Sequence, residues 1–325
     1  MKNKSQLLII LEWTLIVGVS FLIARLLNFS LIVPVIILAL FSYITFCYKK
    51  EKLLTLHLGL LLTIVIVFAK AIVDYSTFSF YYFIPVPAIC MLTVVLFDDL
   101  ALGFAVAATA SMLAGNIANN DLSLSLVLFI SSIIGMLSVW RARRRSKIIW
   151  AGLYVGIVQI FCILLIHLQN PFSNEILRAQ AGWIMISGIF ASFIVIGSPP
   201  IFENLFKVIT NISLLELSDF NHPLLRKMIL EAPGTYQHSL IVGNLAEAAS
   251  EAIGANSLLA RVGAYYHDIG KIEKAEYFSE NQIHLHSKHD KLQPNMSRII
   301  IINHVKEGEE LARKYKLNPI IIDFI

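Results

Sequence analysis

Long apolar runs follow one another through the first two thirds of the sequence, and they constrain the fold more than any other feature. A helix that crosses the roughly 30 Å hydrocarbon core of a bilayer needs about 20 mostly apolar residues. The stretches of suitable length are 7–27, 30–48, 53–73, 80–97, 99–118, 122–140, 148–168 and 181–202. Because lipid leaves backbone polar groups no partner but the chain itself, these stretches predict membrane-spanning helices.

Charged residues are distributed unevenly between two parts of the chain. Of the 26 basic and 22 acidic residues, 20 lie in positions 1–202 and 28 in the remaining 123. The whole chain has 57% hydrophobic and 15% charged residues, which excludes a wholly soluble protein. The basic excess belongs to the membrane part, so we expect a lipid bilayer as a partner and no nucleic-acid polymer.

Basic loops predict the orientation, because Lys and Arg near membrane ends stay in the cytoplasm. One such loop contains Lys49, Lys50 and Lys52, and a second runs from Arg141 to Lys147. Four predicted spans separate the two loops, so both lie on one side. Counting spans outwards then places both termini in the cytoplasm and the protein in the cell membrane.

The spans and the polar composition that follows them predict three segments. Residues 1–29 form an N-terminal membrane helix, since this stretch lacks the small-residue cleavage site of a signal peptide. Residues 30–206 form a seven-helix transmembrane domain, and residues 207–325 form a cytoplasmic domain that holds most of the histidines.

Capping and breaking residues predict helices throughout the cytoplasmic segment. Pro223 opens a helix that Pro233 and Gly234 stop, and Thr235 caps the next one. Pro294 opens a later helix with apolar residues at helical spacing. Alternating strand runs with hairpin signals do not occur, so the segment is predicted to be all-α.

A histidine and aspartate pattern in this segment predicts metal chemistry. His238 lies one turn into its helix, His267 and Asp268 end the following helix, and His304 lies in a third. Imidazole nitrogens with a carboxylate suit divalent iron, manganese or zinc, and a carboxylate can bridge two ions roughly 3.5–4 Å apart. Lys271, one turn beyond the pair, is placed to hold a phosphate oxygen. The spacing by itself leaves a structural role for these residues open.

Other histidines and one tyrosine have competing interpretations. His284, His286 and His289 form a second cluster, but polar neighbours interrupt any apolar periodicity around them. We predict a solvated connection between helices there, and a helix-entry role for His222. Tyr236 is open between lining a substrate cleft and packing in the core.

Four sequence runs carry a resemblance to a known family. They are Leu-Leu-Arg-Lys-Met at 224–228, Glu-Ala-Pro-Gly-Thr-Tyr-Gln-His-Ser at 231–239, Gly-Ala-Tyr-Tyr-His-Asp-Ile-Gly-Lys at 263–271 and His-Asp-Lys-Leu at 289–292. The chain resembles the seven-transmembrane HD family, the PgpH type of bacterial cyclic-di-AMP phosphodiesterase. The resemblance implies an all-α fold, in which a polytopic helical membrane domain precedes a cytoplasmic HD-type phosphohydrolase domain.

The resemblance also implies a mechanism and a set of site residues. The family hydrolyses a cyclic dinucleotide, cyclic-di-AMP in the PgpH type, to its linear form with two divalent ions, iron or manganese. His238, His267 and Asp268 would hold one ion, and His304 would hold the second. The implied catalytic residues are Asp268, which bridges the ions, and Lys271, which positions the phosphate.

The sequence departs from the family pattern in two places. The family carries a His-His pair and a later aspartate beyond His304, whereas this chain stops at Ile325. It also carries a large extracytoplasmic sensory domain where only Asn28, Phe29 and Ser30 separate the first two predicted spans. We therefore expect an HD domain that is incomplete at its C-terminus, and a 325-residue chain without appreciable cyclic-dinucleotide hydrolysis.

Two other functions are weighed against hydrolysis. The first is a catalytically inactive membrane receptor that keeps the HD fold, and the second is a carrier with a helical regulatory tail. Ionisable side chains in or near the spans predict interfacial anchoring or packing rather than a proton relay. They are His57, Lys70, Asp74, Asp98 and Asp99. The sequence leaves open whether a second copy of the chain is a partner. It also does not choose among cyclic-di-AMP, cyclic-di-GMP and shorter linear nucleotides as the substrate.

Overall fold

The computed structural model describes Ile37, Leu40 and residues 54–75, 78–169, 174–282 and 287–325. Four expectations lie wholly or largely outside these residues: the spans at 7–27 and 30–48, the helix at 1–29, the basic loop at 49–52, and the pair His284 and His286. The chain divides into two compact units, Met1–Pro200 and Ile201–Ile325. Within the described residues every regular element is a helix, in agreement with the all-α prediction.

Unit 1 consists of long apolar helices. They are α1 (Leu54–Tyr75), a 3₁₀ helix (Phe78–Phe83), α2 (Val86–Phe97), α3 (Leu100–Ile117), α4 (Leu122–Val139), α5 (Arg145–Gln169) and α6 (Asn174–Gly197). Six helical segments of the described residues are long and apolar enough to cross a membrane. They coincide with the six predicted spans from 53–73 to 181–202, although α6 begins several residues earlier than predicted.

Aspartates mark the ends of spans in unit 1. Asp99 accepts a hydrogen bond of 3.0 Å from the backbone N–H of Leu102 and so caps the start of α3. Asp121 caps α4 in the same way through Leu124, also at 3.0 Å. Each carboxylate satisfies an N–H group that a helix start leaves unpaired, which explains an acidic residue at a span end without a transport role.

Small and polar residues join α4, α5 and α6. Gly152 and Gly188 let α5 and α6 approach so closely that a Cβ on Gly188 would meet the Gly152 carbonyl oxygen at 2.5 Å. The Gln159 side chain of α5, which is 1% exposed, donates to Ser131 Oγ of α4 at 3.3 Å and accepts from Ser187 Oγ of α6 at 3.2 Å. Hydrogen bonds of this kind hold helices together where lipid offers no polar partner.

Unit 2 is built from two long helices together with several short ones, and the first of these elements begins at its boundary with unit 1. The elements are α7 (Pro199–Phe206), α8 (Asn211–Leu217), α9 (Pro223–Glu231), α10 (Pro233–Ala252), α11 (Ser257–Tyr266), the 3₁₀ helices Ile269–Tyr277, Ser279–Asn281 and Lys288–Lys291, then α12 (Pro294–Lys314) and α13 (Pro319–Ile322). The two long helices are α10 and α12. Helix α9 ends at Glu231, just before Pro233, as predicted, but the helix cap predicted at Thr235 was wrong. Pro233 is the first residue of α10, where its missing N–H costs no hydrogen bond, and Thr235 is buried inside the first turn.

The core of unit 2 lies beneath the end of α11. Leu224, Leu225 and Met228 of α9 are fully buried in the same cluster as Tyr266 and Ile269. The Tyr266 hydroxyl donates to the carbonyl of Leu217 at 2.7 Å, so its polar end is also satisfied. Because Tyr266 and Ile269 are both anchored in the core, the two residues between them have little freedom to move.

Candidate metal centre

His267 and Asp268 occupy the turn between α11 and the 3₁₀ helix Ile269–Tyr277. Helix α11 starts at a side-chain cap, where Asn256 accepts from the N–H of Leu259 at 3.0 Å, and it ends at Tyr266. The polar pair therefore follows directly after a buried anchor, and Asp268 itself is only 6% exposed.

The two carboxylate oxygens of Asp268 face different histidines. Asp268 Oδ2 lies 3.2 Å from His267 Nε2 and 3.9 Å from His238 Nε2 of α10. Asp268 Oδ1 lies 3.5 Å from His304 Nε2 of α12. The structure thus brings together the four residues that the sequence analysis selected as metal ligands, from three separate parts of unit 2.

Backbone carbonyls orient two of the imidazoles. His267 Nδ1 lies 2.7 Å from the carbonyl oxygen of Ala264, and His304 Nδ1 is hydrogen-bonded to the carbonyl of Ile301. When Nδ1–H donates to a carbonyl, the Nε2 lone pair is directed away from the helix and is available to a metal ion. In both residues Nε2 is the atom that faces Asp268.

The donor set and its spacing fit a divalent cation. Ligand atoms of His238, His267 and Asp268 all lie within 4.8 Å of one another. Two imidazole nitrogens and a carboxylate oxygen suit iron, manganese or zinc. His304 stands apart from this group and faces the second oxygen of Asp268, which is the arrangement a bridging carboxylate requires.

Electrostatics keep the Asp268 carboxyl ionised. Burial by itself raises the pKa of Asp268, but hydrogen bonds from His267 and Lys271 and their charges hold that pKa well below its usual range. Burial lowers the pKa of His267, whereas its hydrogen bond to Asp268 raises it, and the net shift is upward. A metal ion would therefore take the place of a proton shared by this pair.

Lys271 is shared between two carboxylates. Its Nζ atom lies 2.7 Å from Asp268 Oδ2 and 2.8 Å from Glu280 Oε1. Burial lowers the pKa of Lys271, but its hydrogen bonds to Asp268 and Glu280 outweigh burial and raise it. Burial raises the pKa of Glu280, and the contact with Lys271 more than offsets this and lowers it. The ammonium group therefore stays charged beside the candidate metal site.

Glu280 belongs to a network that sequence reasoning missed. The Thr235 hydroxyl at the start of α10 donates to Glu280 Oε1 at 3.2 Å, and it accepts from Asn281 Nδ2 at 2.8 Å. Asn281 Oδ1 in turn accepts from the N–H of Thr235 at 3.0 Å, across 46 positions of sequence. No local pattern links residues so far apart in the chain, so the sequence offered no signal for this network.

Helix α12 is held against the segment that follows Asp268. Lys274 Nζ lies 2.6 Å from Glu307 Oε1, and the same oxygen accepts from Asn303 Nδ2 at 2.7 Å. These contacts flank His304 on α12 and so support its position opposite Asp268.

Two further described histidines of unit 2, His222 and His289, and also Tyr236, have contacts away from Asp268. His289 Nε2 lies 2.9 Å from the carbonyl oxygen of Tyr277 and does not face Asp268. The His222 ring packs edge-on against Tyr266, with ring centroids 5.7 Å apart. Tyr236 packs against the core cluster and contacts Phe220, which is the core role that its sequence position left open.

Comparison with protein families gives two matches. Residues 19–210 match the model described as a 7TM receptor with intracellular HD hydrolase. Residues 235–325 match the model of the HD domain. The second range contains His238, His267, Asp268 and His304.

Curated relatives match over about 60% of this chain. The cyclic-di-AMP phosphodiesterase PgpH of Bacillus subtilis (strain 168) is 45% identical over 199 residues, which are 60% of this chain and 28% of that protein. The protein of the same name from Listeria monocytogenes serotype 1/2a (strain 10403S) is 42% identical over 209 residues, which are 63% of this chain and 29% of that protein. The chain thus spans less than a third of the length of these relatives.

Solved structures of the HD domain of a relative are similar over part of the chain, and one of them contains a bound dinucleotide. The crystal structure of the L. monocytogenes phosphodiesterase PgpH HD domain in complex with cyclic-di-AMP is 52% identical and covers 32% of this chain and 49% of that one, with a TM-score of 0.32. The relation to these proteins is carried by the family models and the sequence identities rather than by this superposition.

Proposed function

This chain belongs to the family of 7TM receptors with an intracellular HD hydrolase, and from this we propose that it is a membrane-bound, metal-dependent phosphodiesterase. Its proposed substrate is a cyclic dinucleotide, cyclic-di-AMP, and its product is the linear dinucleotide. The substrate is inferred from the two PgpH relatives at 45% and 42% identity.

The proposed site uses the four residues around Asp268. His238, His267 and Asp268 Oδ2 would hold one ion, while His304 and Asp268 Oδ1 would contribute to a second. Iron or manganese is proposed for both. The observation that carries this assignment is that the two oxygens of one buried carboxylate face different histidines, Oδ2 facing His238 of α10 and Oδ1 facing His304 of α12.

The residues divide the chemical work between them. Bound divalent ions would supply a water nucleophile of lowered pKa and offset the charge that develops on the phosphoryl group. Asp268 fixes the spacing of the site because both of its oxygens are engaged. Lys271, which is charged and adjacent to Asp268, would contact a phosphate oxygen of the substrate and hold it against the site.

The proposal extends to domain organisation and orientation. Residues 1–29 would form an N-terminal membrane helix, 30–206 a seven-helix transmembrane domain, and 207–325 the HD domain. The basic run from Arg141 to Lys147 supports a cytoplasmic location for the loop that contains it, and hence for the HD domain. The chain is a multi-pass membrane protein, as its helices and its family indicate.

Two measurements test the function. Mn²⁺ and cyclic-di-AMP binding are measured on the chain itself, purified in detergent. Hydrolysis is measured on a chimera in which the chain continues into the segment of the B. subtilis relative that follows the aligned region, because the chain matches only 28% of that relative's length. We expect the chimera to convert cyclic-di-AMP to the linear dinucleotide with Mn²⁺, and the Asp268→Ala chimera to lose this activity.

The B. subtilis relative itself is the positive control for the hydrolysis assay. A folded chimera that binds cyclic-di-AMP without turning it over, beside an active control, would favour the inactive receptor instead.

A further inference from the structure

Lys271 places a positive charge beside the carboxylate that the proposed metal ions need, and its position requires an explanation. We propose that Glu280 is a positioning residue that holds the Lys271 ammonium and neutralises it, so that divalent cations can bind at Asp268. This inference rests on the proposed metal centre and assigns a role to a residue outside the ligand set.

The geometry places Glu280 and Asp268 on two sides of one ammonium group. Lys271 Nζ is within 2.8 Å of both carboxylates, and the Phe278 ring covers it at 5.1 Å from the ring centroid. The Lys271 side chain is only 15% exposed, so solvent does little to screen its charge. Without Glu280, the ammonium would have Asp268 as its one remaining carboxylate partner among the described contacts.

The sign of the effect follows from the charges. A fixed positive charge beside the site repels an incoming divalent cation, and the repulsion is large where water is largely excluded. Asp268 and Lys271 alone sum to zero formal charge, whereas the set with Glu280 carries a net negative charge. Glu280 therefore restores the attraction for a cation that Lys271 would otherwise remove.

Glu280 is itself held in place, as a positioning role requires. Thr235, which is fully buried, donates to the same Glu280 oxygen that contacts Lys271. Asn281 bonds both the N–H and the hydroxyl of Thr235, so the Glu280 backbone is tied to the start of α10. His238 lies one turn further along α10. The carboxylate that balances Lys271 is thus connected to an element that carries a ligand.

The test measures Mn²⁺ affinity, not catalysis. The full chain in detergent is titrated with Mn²⁺, and the concentration of free Mn²⁺ is measured from its electron paramagnetic resonance signal. Glu280→Gln keeps the shape and the Thr235 contact but removes the charge, and we expect it to weaken Mn²⁺ binding about tenfold, the loss typical of residues behind a metal ligand.

Glu273→Gln is the matched control. This substitution removes the negative charge of Glu273, which forms an ion pair with Lys227 at 3.0 Å. The pair is similar in length to that of Lys271 and Glu280, but it does not include a contact with Asp268. We expect this variant to keep the affinity of the unsubstituted chain, and thermal unfolding shows whether each variant is folded.

Removal of the unbalanced charge distinguishes the proposal from a merely structural role for Glu280. In Glu280→Gln/Lys271→Met the uncompensated charge is gone, so Mn²⁺ affinity should return close to that of the unsubstituted chain. Lys271→Met alone should bind Mn²⁺ at least as tightly as the unsubstituted chain. A double variant as weak as Glu280→Gln, or weaker binding by Lys271→Met, would overturn the proposal.

The same titration distinguishes a failure of the proposed metal centre from a failure of the role proposed for Glu280. If the unsubstituted chain binds no Mn²⁺, the metal centre itself is wrong and this inference falls with it. If the unsubstituted chain binds Mn²⁺ and Glu280→Gln binds it equally well, only the role of Glu280 is refuted.

Discussion

Gly270 lies directly against the backbone of His304, and a Cβ on Gly270 would come within 1.8 Å of the His304 carbonyl oxygen. The same added atom would lie 2.5 Å from the backbone nitrogen of Gly308. Because Gly270 is two residues after Asp268, this contact sets how closely α12 and its histidine approach the carboxylate. The absence of a side chain at Gly270 is therefore required for the geometry of the site.

Gly270→Ala should destabilise unit 2 and weaken metal binding together. The methyl group meets backbone, which cannot rotate away, so we expect a loss of about 1–3 kcal/mol of stability and a lower melting temperature. Displacement of α12 should also lower Mn²⁺ affinity in the chimera, which is proposed to bind both ions. Gly243→Ala is the control. Its methyl group would also meet an atom at 2.5 Å, but that atom belongs to the Tyr265 ring and not to the backbone of α12. Equal Mn²⁺ affinity in the two variants would contradict the prediction.

Asp268→Ala should impair hydrolysis more than Lys271→Ala. A bridging carboxylate positions both ions, whereas a lysine that contacts phosphate supplies one charge among several, worth about 10²-fold in turnover. We therefore expect no measurable linear product from the Asp268→Ala chimera and reduced product from the Lys271→Ala chimera. The same residual activity in both would argue against a bridging role for Asp268.

His238→Ala and His289→Ala should differ in Mn²⁺ affinity, although both remove a partly exposed histidine. His238 Nε2 faces Asp268, while His289 Nε2 is bonded to the Tyr277 carbonyl. Titration of the full chain should show weaker binding only for His238→Ala. A comparable loss of Mn²⁺ affinity in His289→Ala would contradict this prediction and favour a metal site at the second histidine cluster.

Gly188→Val should destabilise unit 1 while Gly182→Val should not. A Cβ on Gly188 would meet the Gly152 carbonyl oxygen at 2.5 Å, whereas nothing lies within 4 Å of a Cβ on Gly182 of the same helix. We expect a loss of about 1–3 kcal/mol for the first variant. With Cys47 and Cys162 replaced by alanine, a thiol-reactive dye reports exposure of the fully buried Cys90 on heating and so measures the difference, and coincident melting curves would refute it.

Ser146→Cys and Ser123→Cys should be labelled from opposite sides of the membrane. Both serines are exposed in the first turn of a span, and the single helix α4 separates the two loops. In a background in which the native cysteines are replaced by alanine, an impermeant maleimide should reach Ser123→Cys in intact cells and Ser146→Cys only after permeabilisation. The reverse pattern would invert the proposed topology.

Local features were predictable from the sequence because they depend on neighbouring residues. The apolar lengths predicted the six described spans, and Pro223 marked the start of α9 correctly. His267 and Asp268 were recognised as a pair through their surrounding motif. The start of α10 was misjudged because a proline can end one helix or begin the next, and only the packing around Thr235 decides between them.

Contacts between distant residues were not predictable. Glu280 acts on Lys271 from another 3₁₀ helix, and nothing in its immediate sequence distinguishes it from a solvated glutamate. The Gly270 contact with His304 and the Gln159 contacts with two serines likewise depend on how helices cross. A sequence pattern gives the face of a helix, but the neighbour of that face is set by tertiary packing.

The Gln159 amide also limits how unit 1 can move. Its hydrogen bonds to Ser131 and Ser187 are 3.3 Å and 3.2 Å long, while one residue of helix corresponds to a slide of about 1.5 Å along the axis. If any one of α4, α5 or α6 moved by that distance, the Gln159 amide would lose a hydrogen bond within an apolar interior. These three helices therefore cannot slide past one another along their axes. Any axial motion in this part of unit 1 has to move all three helices together.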